Sequence, residues 1–574
     1  MKRAALAIFL LVLCAAAQAQ TAPRSTIRVG VWTLWHDHEA VIMPVSGATL
    51  RECESCRARG LRSITIRAKG AGLTWTEQDG QAHSATSILL AGSYRFDAHG
   101  ESLRLTWPLR ISAQQGALLL AATLPVESYV ELAIAAESDA ADSPESRKAL
   151  AVVARGFALA PAHGHAAFDV CDSTHCQWVR WRSTREAHAA ALATAGEILW
   201  VHGTRADVYF HQNCGGRTAA AEEVWPGRAA SDRAVRGLLV SRADPFCQRV
   251  ASGEWSATLS RAELTQALSA AGLVAPGWKN LSVVQRGESG RATMLLVGGT
   301  RVPAESFRLA VGRALGWNRI RSNWFEVGAE GDGFLFHGRG SGHGVGLCQA
   351  GAAEMAREGR SYREILAQYF PGATIADVTT GSPWQSISAQ GFTLETSEAA
   401  DAAFIPALVR ALAEAESRSG LTPRAAIEVR AYRSTPAFRD ATLAPGWVAA
   451  FTEGDLIAVQ PLRILSARKL LASILRHEFL HALVEEQATA QTPLWLREGL
   501  VEAWSDDARR GPRPALSLDS VNDKLAHAAS EAESESAHRV AGRYAQQLLD
   551  RFGRAQVLDW LHSGVPQSAL ATLR

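Results

Sequence analysis

From residue 338 to 351 the chain reads GRGSGHGVGLCQAG, with glycine at five alternate positions: Gly338, Gly340, Gly342, Gly344 and Gly346. A strand with glycine at every second residue has one face of bare backbone, so whatever lies on that face can approach the main chain itself. The other face carries Arg339, Ser341 and His343. The stretch has neither the Lys-Ser/Thr ending of a phosphate loop nor the uneven glycine spacing of a dinucleotide fingerprint. Nor does it read as a flexible linker, because Arg339, His343, Val345 and Leu347 fill the places between the glycines.

A chain of 574 residues is too long for one ordinary core, and its length predicts roughly two to four domains. With 47% hydrophobic and 20% charged residues it has the composition of a soluble globular protein, and a net charge of +2 gives no case for nucleic acid as a partner. Lys2 and Arg3, the apolar run from Ala4 to Ala17, and Ala17-Gln18-Ala19 form a secretory signal over residues 1–19, with cleavage after Ala19. The mature chain is therefore expected to be exported, to the periplasm or the cell surface. Cys14 leaves with the signal, so of eight cysteines 8 − 1 = 7 remain. In an oxidising compartment the default is disulfides, yet an odd count leaves at least one sulfur free, metal-bound or paired between chains. Cys53 and Cys56 are most simply a local disulfide.

Residues 25–120 alternate apolar and polar side chains in "STIRVGVWTLW", "SITIRAKG" and "SLRLTWPLRIS", which predicts a β-rich opening region. The period then changes. "VESYVELAIAAE" and "SPESRKALAVVARGFALA" read as two helices, the second opened by Ser143 as cap and Pro144 in the first turn. A mixed segment runs to about Thr380, and the turn-rich "TTGSPWQSISAQG" is the expected boundary, giving domains at 25–380 and 390–574. Beyond it come an amphipathic helix, the strands "AIEVRAY" and "DLIAVQPL", and largely helical sequence. The segment "KLAHAASEAESESAHR" is polar enough to be a solvated helix or loop. The fold class expected is α+β multidomain.

Inside the helical run "ARKLLASILRHEFLHALVEE", His477 and His481 are four residues apart, so one helix face offers both imidazoles to a single ion. Glu478 sits beside the first of them, where it can take a proton from a water polarised by that metal. A hydrolytic zinc site needs a third protein ligand, and "PLWLREGLVEAW" supplies Glu498 on a second helix, with Glu502 four residues further along the same face. His477-Glu478-x-x-His481 followed by Trp-Leu-x-Glu-Gly resembles the gluzincin metallopeptidases. That resemblance implies a mostly helical zincin-like α+β domain with a small edge-stranded sheet, Zn2+ held by His477, His481 and Glu498, Glu478 as general base, and Glu502 as a carboxylate orienting a ligand. It also puts "DLIAVQPL" where such folds place the edge strand that pairs with an extended peptide or protein substrate. Tyr544 and His538 are candidates for the family's transition-state donor.

In the first half, "LPVESYVELAIAAES", "ESRKALAVVARGFAL", "FDVCDSTHCQWVRW", "YFHQNCGGRT" and the glycine run with its continuation occur in that order. Together they resemble the stage II sporulation protein D (SpoIID/LytB) family over roughly Ile27 to Thr374. The resemblance implies cleavage of peptidoglycan glycan strands by a lytic transglycosylase, with related members acting as enhancers of a cell-wall amidase. The family's catalytic glutamate corresponds to Glu137, although Ala136 and Ser138 replace its usual glycine and methionine neighbours. One carboxyl suffices for this chemistry, because the sugar's own hydroxyl closes the ring, whereas common glycoside hydrolases need two. The glycine run then reads as a wall of a glycan cleft, with His343 and Gln349 as substrate contacts. Arg155 and Lys148 read as structural supports, and Glu127 as a partner behind the site. Cys171, His175, Cys176 and Cys214 can form a second metal site or disulfides. The combined expectation is an exported cell-wall enzyme with a glycan-cleaving unit and a zinc peptidase unit. The alternative is a glycan-binding or amidase-enhancing module beside a peptidase as sole catalyst.

Overall fold

The computed structural model of the chain describes residues 25–77, 80–160, 164–226, 238–250, 253–444, 447–505, 516–527 and 530–573. The signal segment 1–19 lies outside the described residues. Among them, no helix is long and apolar enough to cross a membrane.

The opening region is an eleven-stranded, largely antiparallel sheet folded over its own core. Strand β1 (Thr26–Gly30) pairs with β2 (Ala117–Pro125), placing Ile27 opposite Leu124 and Val29 opposite Ala122. Their alternation buries Ile27 and Val29 against Leu120 and Leu124. Cys53 and Cys56 form the expected disulfide at its periphery.

β2 runs directly into helix α1 (Val126–Glu137), which buries seven apolar residues and Ser128. Helix α2 (Pro144–Ala158) starts as the sequence implies: Ser143 Oγ accepts from the Ser146 N–H, and Pro144 fills the first turn. Helix α3 (Arg185–Ala193) and strand β3 (Glu197–Val201) complete this layer. Arg155 of α2, fully buried, ties it together by donating to the Glu127 carboxylate of α1 and to the carbonyls of Ala191 and Glu197. Arg155 thus holds the support role read for it, whereas Glu127 is its ion-pair partner at the start of α1 rather than a group behind Glu137 at the other end. A separate module with its own core follows, in which helix α4 (Ala304–Leu315) packs beside two three-stranded sheets, one of them built on strand β4 (Gly333–Arg339).

The glycine run departs from the extended strand expected of it. β4 stops at Arg339, and Gly340, Gly342, Gly344 and Gly346 all have positive φ, between 75° and 92°. A Cβ at Gly346 would lie 2.2 Å from the Tyr209 carbonyl oxygen, and one at Gly344 would meet the Arg291 guanidinium at 2.6 Å. The bare backbone is therefore occupied by the protein's own chain. Only part of the run, Ser341 to His343, faces a cleft. Helix α5 (Gln349–Arg357) follows, with Cys348 at its N-cap.

The second unit is built on a five-stranded sheet in the order β5 (Gln385–Ala389), β6 (Phe392–Thr396), β7 (Ile427–Ala431), β9 (Leu456–Val459), β8 (Ala450–Glu453). Gln385–Ala389 lies within the stretch read as a boundary, so the connection between the sheets is shorter than that reading implies. The edge strand is β8, antiparallel to β9; "DLIAVQPL" contains β9, an inner strand, which corrects the sequence assignment. Three helices cover the sheet and its end: α6 (Leu471–Gln487), α7 (Leu494–Trp504) and α8 (Glu531–Ser563), the last broken at Gly553.

The two units are docked through buried charge. Arg430 of β7 and Glu197 of β3 pair at 2.9 Å with both side chains fully buried, and Arg430 also donates to the Ala193 and Ala195 carbonyls. Trp384 covers its guanidinium at 3.8 Å. Lys148 reaches Glu428 at 3.6 Å, and His188 bridges Glu131 of α1 and Glu453 of β8. Removing one partner of a fully buried pair leaves the other charge uncompensated, at a cost of about 3–5 kcal/mol. Arg430→Ala is therefore expected to lower the urea midpoint and expose the connection between the units to protease, while Arg430→Met with Glu197→Leu recovers most of the loss. An Arg430→Ala chain with unchanged midpoint and protease resistance would contradict this docking.

Candidate functional site

The larger site is a cleft of about 740 Å³ where α1, the 174–178 loop, the 209–213 segment, α4, the glycine run and α5 converge. Glu137 is the last residue of α1, and its side chain faces the cleft. The Trp178 N–H donates to Glu137 Oε1 at 2.8 Å. Burial pushes the Glu137 carboxyl up to about 7 against that single bond. A carboxyl poised near neutrality can be protonated at rest and give its proton to a bound oxygen. Asp139 and Asp142 also line the cleft; they belong to the turn after α1, where Asp142 Oδ2 accepts from the Asp139 N–H.

Gln349 and His343 both reach this cleft, but with duties of their own. Gln349 Nε2 donates to the Glu137 carbonyl at 2.7 Å, clamping the end of α1 from α5. His343 Nδ1 accepts from the Val345 N–H, and its ring lies among Tyr209, His211 and Trp225. Burial pulls its imidazole down to about 4, so it is neutral at physiological pH. Trp178 and Trp317 stand on the cleft lining with 57% and 38% of their surface exposed, which leaves their rings open to a ligand.

Beside Glu137, Cys171, His175 and Cys176 come together with a fourth residue, His165, with one donor atom of each within 4.8 Å of all the others. His175 Nδ1 lies 3.7 Å from Cys171 Sγ and 3.6 Å from Cys176 Sγ, and His165 Nε2 lies 3.4 Å from Cys176 Sγ. Hydrogen bonding from Cys176 and His175 pulls the Cys171 thiol far below its usual range. Two thiols and two imidazoles at this spacing suit a tetrahedral zinc-type ion. Cys214, grouped with them from sequence, lies in a different cluster with Asp244, Cys247 and Cys348. Cys171, His175 and Cys176 stand together in the CDSTHC stretch, whereas His165 lies outside it and carries no spacing signal that joins it to them.

The second site lies in the other unit, between α6, α7 and α8. His477 Nε2 and His481 Nε2 face each other at 3.0 Å, a spacing that requires a proton or a cation between two imidazole nitrogens. Glu498 Oε2 is 3.7 Å from His481 Nε2 and 3.2 Å from His538 Nε2. Gly499 permits this convergence: a Cβ there would lie 2.4 Å from the Ala541 carbonyl, so the glycine lets α8 pack directly on α7. Burial raises Glu498, yet the His481 charge and the His538 bond outweigh it and hold the carboxyl at about 2. Burial lowers His477 to about 3, with His481 adding to the effect. His538 is raised to about 9, because Glu498 more than offsets its burial, and Glu502 adds to that rise. Glu478 accepts from Thr452 Oγ1 of the edge strand at 2.6 Å and is pushed up by burial. The two imidazoles expected from sequence to hold a metal thus meet at one point with Glu498 beside His481, and Ser505 Oγ lies 3.3 Å from His477 Nδ1. His538 reaches the site from the polar segment read as solvated. Tyr544 instead donates to the Leu516 carbonyl and packs on Trp495.

Comparison with known proteins bears on the first unit. Residues 114–200 match the family model of the stage II sporulation protein (SpoIID), and residues 228–346 match a domain of unknown function (DUF8618) that spans much of the separate module. An uncharacterized protein of Brachyspira hyodysenteriae is 29% identical over 262 residues, covering 44% of this chain and 67% of the relative. The stage II sporulation protein D of Bacillus subtilis is 24% identical over 290 residues, covering 47% of this chain and 80% of its own length. The amidase enhancer of the same organism is 34% identical over 74 residues, 13% of this chain and 10% of the relative. The first part of the chain thus carries a SpoIID family domain, and it includes Glu137 and the His165–Cys176 cluster.

Proposed function

We propose that the chain is an exported peptidoglycan-processing protein that cleaves glycan strands without water. The reading is carried by one observation: Glu137, with a carboxyl raised to about 7, opens onto a cleft of about 740 Å³, room enough for saccharide units. In this chemistry the Glu137 carboxyl protonates the bridging glycosidic oxygen, the C1–O bond breaks, and the leaving sugar departs as an alcohol. The resulting carboxylate then takes the proton of the same muramyl residue's C6 hydroxyl, whose oxygen bonds to C1 and closes an anhydro ring. Gln349 and the Trp178 N–H hold the helix end and the carboxyl in place for both steps. The exposed faces of Trp178 and Trp317 suit stacking on sugar rings. The sporulation protein relatives support a cell-wall role.

For the second unit we propose a zinc-dependent peptidase acting on a peptide or protein substrate. His477, His481 and Glu498 would hold the ion, which when bound supplies Lewis acidity toward a carbonyl and toward water. Glu478 takes and returns the proton, with Thr452 fixing its carboxylate. His538, cationic beside Glu498, can donate toward a developing oxyanion. Edge strand β8 supplies open backbone for an extended peptide. Linking two such activities raises the local concentration of each on one polymer.

The amidase-enhancer relative favours a second reading, in which the first unit binds glycan and stimulates an amidase without cutting. Three results separate these readings. Release of anhydro-ended fragments from purified glycan is expected to fall by about 10²–10⁴-fold in Glu137→Gln. In the wild type it should decline about tenfold per pH unit above about 7, because the proton donor is the protonated form and is lost as pH rises through that value. No release from the wild type, with amidase stimulation intact in Glu137→Gln, would establish the second reading. For the other unit, Glu478→Gln is expected to lose peptide cleavage by about 10²–10⁴-fold while keeping its zinc; cleavage at the wild-type rate would remove Glu478 from the chemistry.

A further inference from the structure

Beneath the glycine run, three cysteines and an aspartate that neither proposed reaction uses meet in the interior of the first unit. Cys214, Asp244, Cys247 and Cys348 are all buried, and one donor atom from each lies within 4.8 Å of every other. They come from three segments far apart in sequence. Cys214 follows the short strand Phe210–His211, Asp244 caps the helical turn Pro245–Gln248 that carries Cys247, and Cys348 ends the glycine run at the N-cap of α5. We propose that Cys214, Cys247, Cys348 and Asp244 form a structural zinc site, separate from the His165–Cys176 cluster and from the histidine pair of the second unit.

Geometry and donor chemistry carry this assignment. Thiolate and carboxylate ligands about 2.0–2.3 Å from a tetrahedral zinc ion stand roughly 3.5–3.8 Å from one another. Here Cys214 Sγ and Asp244 Oδ2 are 3.2 Å apart. Each donor is aimed by neighbours in the way ligands are usually oriented. Cys348 Sγ accepts from the Cys214 and Gly351 N–H groups; Asp244 accepts from the Cys247 N–H through Oδ1 and from the Tyr369 hydroxyl through Oδ2. Charge is partly offset as well. Three thiolates and a carboxylate around a divalent cation leave two negative charges in excess. The guanidinium of Arg291, 1% exposed, lies against the cluster, donating to the Cys214 and Arg217 carbonyls.

A disulfide is the competing chemistry for cysteines in an exported chain. It accounts for these residues poorly: three sulfurs meeting at one point cannot all pair, and the one left over would be a buried thiol against the Asp244 carboxylate. In this structure Cys53 and Cys56 are bonded, while Cys214, Cys247 and Cys348 are free thiols. Zinc takes all four donors, displacing the thiol protons to solvent. The site would fasten the segments that build one wall of the cleft, because Gln212 and Asn213 precede Cys214, and Gln349, which clamps Glu137, follows Cys348.

Two measurements on the full mature chain, exported and purified without reductant, test the site. First, Cys171→Ser, Cys176→Ser, His477→Ala and His481→Ala together remove the other two donor sets; this chain is expected to retain one equivalent of zinc and to lose it when Cys247→Ser is added. Zinc retained after Cys247→Ser, or none before it, overturns the proposal. Second, the unsubstituted chain decides the matter even if those variants fail to fold. Cys214, Cys247 and Cys348 are expected to resist alkylation until a chelator withdraws zinc, and then to react together in peptide mapping. A disulfide between any two of them in a non-reduced digest, or alkylation of all three with the zinc content unchanged, overturns it.

Discussion

One buried guanidinium sets the geometry on which the rest of the first unit depends. Arg155 has its charge fully out of water and satisfies it with the Glu127 carboxylate, the Ala191 and Glu197 carbonyls and Thr194. A charge so placed is tolerable only with its hydrogen bonds filled, so α1, α2, α3 and β3 are held in one arrangement. The same strand carries Glu197, whose carboxylate pairs with Arg430 of the second unit and accepts from the Tyr362 hydroxyl. Buried polar groups therefore run from the root of α1 to the sheet of the other unit.

What this framework delivers is the far end of α1. Glu127 anchors the helix at its start, and Glu137 emerges at its end into the cleft, where Gln349 caps the backbone and the Trp178 N–H meets the carboxyl. The contrast between the two glutamates is instructive. Glu127 faces a guanidinium and serves as an anchor, whereas Glu137 faces one N–H and the cleft, so burial outweighs that bond and raises its proton affinity. The second unit repeats the logic with a different outcome: Glu498, among imidazoles, is held ionised, while Glu478, against a threonine hydroxyl, is raised.

Local pattern was legible where local physics decides. The cap of α2, the alternation of β1, the Cys53–Cys56 disulfide and the four-residue spacing of His477 and His481 could all be read from the chain. Convergence from distant segments could not. His165 joins Cys176 across a turn, His538 reaches Glu498 from a helix forty residues on, and Cys348 meets Cys214 across the length of the inserted module. The glycine run misled for a physical reason: alternation suggests a strand only when φ is negative. Four glycines at positive φ make a loop that threads between Tyr209 and Arg291, and the space they free belongs to the protein rather than to a ligand.

The central claim is that Glu137 works alone, passing one proton while the sugar's own oxygen replaces the leaving group. Digestion of purified glycan strands in ¹⁸O-labelled water, with mass analysis of the new ends, tests it most directly. Fragments that end in anhydro sugars and carry no ¹⁸O are the expected result. Reducing ends labelled with ¹⁸O would mean that water is the nucleophile and that a second carboxylate, Asp139 or Asp142 among those lining the cleft, shares the work.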